Sequence, residues 1–392
     1  MNAIPRLKQY QGPAILSYGF RPFFFLGASY AAVIIALWLP IYEGEIALPT
    51  NFAPRDWHVH EMLFGYIAAV VTGFLLTAVP NWTGRLPLQG VPLLTLVLVW
   101  FAGRIAVALS AKTGWVISGV IDCAFLVLVV GAVAREIITG RNWRNLKVLI
   151  PVSVFALANI GFHLEASARG IADISIRLAI ATIVILIMLI GGRIVPSFTR
   201  NWLARQSPGP LPAPFGKFDA IAIAFSAAAL FVWTVLPAGM WTGVALLAAG
   251  LFQALRLARW AGYRTGRDWL VLVLHVAYGF IPLGFVLLAL GAFDVAPPSA
   301  GLHAWMIGAA GTMTLGVMTR ASLGHTGRDL LAGAGTRAIY AAIVIAACAR
   351  IAAVLLPQWT LALLHISALT WLAAFGGFSL LYGPLLFQKR MN

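Results

Sequence analysis

The chain has 392 residues, of which 61% are hydrophobic and 10% charged, more apolar surface than a soluble protein can cover, so a soluble enzyme is excluded. At ~20 residues per membrane span, twelve spans take up ~240 residues, about the apolar share of the chain. The 27 Lys and Arg against 12 Asp and Glu give a net charge of +15. In a soluble chain that balance points to nucleic acid, but here the placement of the charges points to membrane topology, and no nucleic-acid partner is expected.

Apolar runs predict an all-α polytopic membrane protein of twelve helices, at roughly 18–40, 58–80, 91–109, 114–134, 147–168, 172–195, 218–236, 239–258, 269–291, 301–319, 336–355 and 359–387. One set of loops holds 21 of the 27 basic residues, from Arg6, Lys8 and Arg21 through Arg144, Arg256 and Arg259 to Lys389 and Arg390. The other side keeps Arg55, Arg104, Lys112, Arg169, Arg177 and Arg350. The positive-inside bias therefore places both termini in the cytoplasm. No cleaved signal peptide is expected, because the first apolar run continues for about twenty residues without a small-residue cleavage site. Cys123 and Cys348 fall inside spans and read as small buried hydrophobes, with no disulfide.

The sequence repeats itself. Tyr18-Gly19-Phe20-Arg21-Pro22 recurs as Tyr278-Gly279-Phe280-Ile281-Pro282, matching span 1 to span 9. His60, Gly65, Gly73 and Thr83-Gly84-Arg85 recur at one offset as His303, Gly308, Gly316 and Thr326-Gly327-Arg328, and Arg104-Ile105-Ala106 recurs as Arg350-Ile351-Ala352. A separation of eight helices predicts three four-helix units, 1–140, 141–265 and 266–392, in a pseudo-threefold arrangement; two six-helix halves would repeat after six. The middle unit supplies only fragments, such as Thr199-Arg200 against Thr319-Arg320.

Seven histidines are the main chemical resource, since intramembrane ionisable groups read as functional by default. His58, His60, His163, His303 and His365 are expected near one membrane level, the outer one. His275 is expected inside the other end of span 9, and His325 in a cytoplasmic loop. Clustered imidazoles with few cysteines or acids suit haem iron or copper. His60 and His303, equivalent in the repeat, are expected to ligate one haem from its two faces. His58, two residues from His60 and so on another helix face, is left for a second site with His163 or His365, or for a helix cap. Arg104, Arg177 and Arg350 suit haem propionates or snorkel to lipid head groups. Asp122 in span 4 reads as a proton-relay site or a neutral hydrogen-bonded acid. Gly191-Gly192 and Pro196 suggest a kinked end to span 6, and Ser207–Pro214 a linker.

Several motifs carry a family resemblance. Tyr18-Gly19-Phe20-Arg21-Pro22-Phe23-Phe24, Trp57-His58-Val59-His60-Glu61-Met62-Leu63-Phe64-Gly65-Tyr66, and the runs Leu302-His303-Ala304-Trp305 and Gly324-His325-Thr326-Gly327-Arg328 resemble the NnrS family. The resemblance implies a bacterial inner-membrane protein containing haem and copper, associated with denitrification and resistance to nitric oxide. The family's histidine-bearing motifs fall on His58, His60, His163, His275, His303 and His325.

By analogy only, the catalytic subunit of haem–copper oxidases and nitric oxide reductases has twelve helices in three arcs and ligates its low-spin haem from helices 2 and 10. Spans 6 and 7 here lack histidine, so the three-His copper site of those enzymes has no counterpart. His60 and His303 with one or two haem b groups, and His58, His163, His275 or His365 at a second metal, then make up the expected site. Nitric oxide is the expected ligand, reduced to nitrous oxide with electrons from quinol or a periplasmic donor. The alternatives are a non-catalytic nitric oxide sensor or haem/copper homeostasis protein, and a small-molecule transporter.

Overall fold

A computed structural model describes residues 10–206 and 208–391. Arg6, Lys8 and Ser207, and the Arg144 side chain, lie outside them. The described residues form helices and no strand. They are α1 (Phe20–Tyr42), α2 (Pro54–Thr83), α3 (Val91–Ala108), α4 (Trp115–Thr139), α5 (Leu146–Arg169), α6 (Asp173–Leu203), α7 (Lys217–Val235), α8 (Met240–Ala258), α9 (Trp269–Ala292), α10 (299–326), α11 (Ala334–Leu355) and α12 (Pro357–Phe387). Eleven are long and apolar enough to cross a membrane. The other, α10, coincides with the predicted tenth span and is the most polar, carrying His303, Thr312, Thr314, Thr319 and Arg320.

Local chemistry sets the ends. Gly84 and Gly170 stop α2 and α5 in the left-handed conformation, φ 70° and 78°, which an L side chain resists. The Asp268 carboxylate accepts from the Leu270 amide at 3.0 Å and starts α9. Helix α6 does not end near Pro196 as the sequence suggested but continues to Leu203. The disturbance there is a π segment, Ile187–Gly191. Two others exist among the described residues, Glu61–Ile67 in α2 and Ala304–Gly311 in α10. A wider π turn leaves backbone groups to find other partners and often marks a functional site.

Contact density divides the chain into two units. The first comprises Met1–Ala179, Ala321–Arg328 and Phe378–Asn392, and the second Ile180–Arg320 and Asp329–Gly377. Arg21 and Arg256, both assigned to loops, are buried instead. In the first unit Arg21 donates from Nη1 to the carbonyls of Leu386 at 2.7 Å and Gln388 at 2.6 Å, capping the end of α12, where helix carbonyls lack partners and favour a cation. His325 is not in a solvated loop: it ends α10, with its ring 5.5 Å from Tyr18 and 5.3 Å from Phe20.

In the second unit Arg256 is fully buried. Its Nε donates to Asp219 at 3.0 Å, and its Nη1 to the Tyr278 hydroxyl at 2.8 Å and the Met188 carbonyl at 2.9 Å. Met188 belongs to the π segment of α6, so the guanidinium serves a carbonyl in the disturbed turn. Gly192 next to it leaves the space: a Cβ there would overlap Arg256 Nη2. Cys348, expected to be buried, is exposed on α11.

Candidate metal centre

The site is built in the first unit, where α2, α3, α4 and α5 each contribute to one buried polar cluster. Helix α2 supplies His60 and Glu61 at the boundary where its backbone enters the π segment. Helix α3 supplies Arg104, α4 Asp122, and α5 Asn159 with His163, four residues apart on one helix face. All six are buried. Asp122, read from the sequence as a proton-relay site or a hydrogen-bonded acid, is therefore among partners. So are the histidines, beside which the sequence suggested almost no carboxylates.

Each bond has a direction. Arg104 Nη1 donates to Glu61 Oε2 at 2.8 Å, and Nη2 to Asp122 Oδ1. The Tyr30 hydroxyl donates to Glu61 Oε2. Asn159 Nδ2 donates to Asp122 Oδ2 at 2.9 Å, which turns its carbonyl oxygen toward His60 Nε2, 3.2 Å away. His60 Nε2 also lies 3.2 Å from Asp122 Oδ2, and His60 Nδ1 lies 2.9 Å from Glu61 Oε1. His163 Nε2 stands 3.0 Å from the same Asp122 oxygen. Gly65 is required one turn along, since a Cβ there would lie 2.6 Å from Tyr30 Cε1 and 2.9 Å from Arg104 Nη1.

This geometry fixes the electrostatics. Both nitrogens of His60 face only acceptor oxygens, and an imidazole bears a hydrogen on both only when it is cationic. Two carboxylates against one guanidinium leave one negative charge, and burying it unpaired is costly. One compensating positive charge in this cluster, a proton shared by His60 with its acceptors or a metal ion, balances it.

The donor set fits a metal ion. One ligand atom each from His60, Asp122 and His163 lies within 4.8 Å of the other two. The separations of 3.0 and 3.2 Å from the shared carboxylate oxygen approach the ~3.3 Å edge of a tetrahedron with bonds of ~2.0–2.1 Å. Two imidazoles and a carboxylate suit copper, zinc, iron or nickel, and three protein ligands leave a fourth position for an exogenous molecule. Glu61 on His60 Nδ1 is the outer carboxylate that orients a ligating histidine.

The model of the NnrS protein family matches residues 14–390. The chain belongs to the NnrS family. It matches no curated protein.

The other expected site residues of this NnrS protein fall in different surroundings. Arg104, expected at haem propionates or lipid head groups, is engaged by Glu61 and Asp122. His60 turns no ring nitrogen away from its own chain, so a haem iron on His60 would have to displace Asp122 and Asn159. His58 stacks on Trp38 at 4.3 Å, with ring planes 15° apart. In the second unit, His303 Nδ1 donates to the Ser299 carbonyl at 2.6 Å and His365 Nδ1 to that of Leu361 at 2.9 Å. A backbone carbonyl on Nδ1 places the ring hydrogen there in both.

His275 Nε2 meets the Thr199 hydroxyl at 2.8 Å. Thr199 gives its own hydrogen to the Val195 carbonyl at 2.8 Å, so His275 donates from Nε2 and its lone pair is on Nδ1. Arg177 and Arg350 are half-buried on α6 and α11. Glu61, Asn159 and Tyr30 were not singled out from sequence. The available signal was two acids and an arginine inside apolar runs of neighbouring spans, groups that must find one another in a bilayer.

Proposed function

We propose that this protein is a metal-containing bacterial inner-membrane protein that binds nitric oxide and reduces it to nitrous oxide, with the ion held by His60, Asp122 and His163. The observation that carries the reading is geometric: one ligand atom each from the buried His60, Asp122 and His163 lies within 4.8 Å of the other two. The bound metal would supply the redox and ligand-binding chemistry: two nitric oxide molecules, two electrons and two protons give nitrous oxide and water.

The chain's own residues do the rest. Arg104 holds Asp122 by Oδ1 and leaves Oδ2 for the ion, Glu61 and Tyr30 orient His60, and Asn159 fixes the carboxylate plane. The rings of Phe52, Phe64 and Phe162 lie 5.0–5.4 Å from that of His60, an apolar wall that admits a small neutral gas and excludes hydrated anions. The resemblance also implies haem b, one group or two, for which His303, expected with His60, and His365 are histidine candidates, with quinol or a periplasmic donor supplying electrons. His58 and His275 remain ligand candidates in their own surroundings.

The three four-helix units belong to the same proposal. Their support is that the second helix of each, α2, α6 and α10, carries a π segment followed by a threonine bonded to a carbonyl four residues back. These are Thr77 at 2.7 Å, Thr199 at 2.8 Å and Thr319 at 2.8 Å.

The test is an anaerobic assay of the reduced, metal-loaded protein for nitrous oxide. Turnover is expected in the wild type, with a loss of about 100-fold or more in His163→Ala. No product from fully loaded wild-type protein would contradict it. The closed aromatic wall also favours a second reading, a non-catalytic sensor or metal-homeostasis protein, which predicts stoichiometric nitric oxide binding without product.

A further inference from the structure

Phe52 covers the candidate metal centre from the loop between α1 and α2. Its ring centroid is 5.4 Å from those of both His60 and His163, stacked on the first at 23° and tilted to the second at 66°. Phe162 at 5.6 Å and Trp115 at 4.9 Å complete the packing edge-on. Phe52 is 4% exposed, while its neighbours Asn51, Ala53, Pro54 and Arg55 are all exposed. Along this stretch the Phe52 ring is the buried residue that lies against both imidazoles.

The other walls belong to the helices and their ion pairs. Phe64 and Phe162 are carried by α2 and α5, and the Arg104 side is closed by two ion pairs. Phe52 lies outside any helix, one residue before the Ala53 cap of α2. Its backbone is fastened. Thr50 Oγ1 donates to the Val107 carbonyl at 3.0 Å, the Asn51 amide to Ser110 Oγ at 2.8 Å, Asn51 Nδ2 to the Ser110 carbonyl at 2.9 Å, and the Ala111 amide to the Pro49 carbonyl at 3.1 Å. With the backbone held, rotation about the Phe52 side-chain torsions is the motion left to open this side.

We propose that Phe52 is the gate through which a metal ion enters and leaves the His60/Asp122/His163 group, from the face opposite the basic loops. The inference rests on the metal-centre reading above. Exchange is then with the compartment on the side of the α1–α2 loop, and the ring sets how fast the ion moves while the three ligands set how tightly it is held.

The test uses the purified full-length protein loaded with Co2+ as a coloured probe and challenged with excess EDTA, following the visible absorption. Phe52→Ala is expected to release Co2+ about tenfold or more faster than wild type, with the equilibrium amount bound unchanged and Phe52→Leu in between. Phe52→Leu carries the test if the alanine variant fails to fold. Release at the wild-type rate in the folded variants, with the Co2+ signal intact and lost in His163→Ala, overturns the gate and leaves the metal centre standing. Absence of any His163-dependent signal in the wild type overturns the metal centre and the gate with it.

Discussion

Arg104→Met is expected to destabilise the protein by about 3–5 kcal/mol, the loss that follows when one partner of a buried charge group is removed. The substitution keeps the volume but leaves Glu61 and Asp122, both buried, without the guanidinium that donates to each of them. Thermal unfolding in detergent should show a clear drop in midpoint. The double variant Arg104→Met/Glu61→Gln restores the charge balance and should lose less than the single one, a coupling that distant sites do not show. An Arg104→Met midpoint equal to that of the wild type would mean that the guanidinium does not neutralise these acids.

The second large effect is at Arg256. Arg256→Met removes three donors at once and leaves Asp219 with the Gly216 amide at 3.0 Å and Arg259 at 3.5 Å. A loss of about 3–5 kcal/mol is expected again. Tyr278→Phe, which removes a hydroxyl accepting from Arg256 and donating to Gln253 at 2.7 Å, should cost about 1–3 kcal/mol. Arg256→Lys should behave like the methionine variant, because an ammonium lacks the planar fork that reaches a carboxylate, a hydroxyl and a carbonyl together. The same melts check all three, and rescue by lysine would show that charge alone suffices.

Much of the fold was legible in the sequence, since helices in a bilayer must be apolar and close their own hydrogen bonds. All twelve predicted spans have helices in place, ends differing by a few residues, and α6 runs past its expected end. What hydropathy does not encode is the rotation of each helix. His60 stood out as an imidazole in an apolar run, but its partners come from α3, α4 and α5, and nothing in one sequence says that Arg104 points at Asp122 and away from lipid. Gly103 holds the geometric hint: a Cβ there would lie 3.0 Å from Asp122 Oδ1, so α3 and α4 touch at that level.

The π segments have no sequence signature, because packing around the extra residue decides them. Arg256 was assigned to a loop because it lies two residues from the end of α8. Loop and helix end differ there by less than one turn, and only the structure shows Asp219, Tyr278 and Met188 closing around it.

Metal analysis of the wild type beside His60→Ala, Asp122→Asn and His163→Ala, all from metal-supplemented cells, tests the buried ion most directly. About one ion per chain beyond any haem iron is expected in the wild type, and its loss in all three variants, since each removes a ligand or its charge. An ion retained in all three, or none in the wild type, would contradict a metal centre at His60, Asp122 and His163.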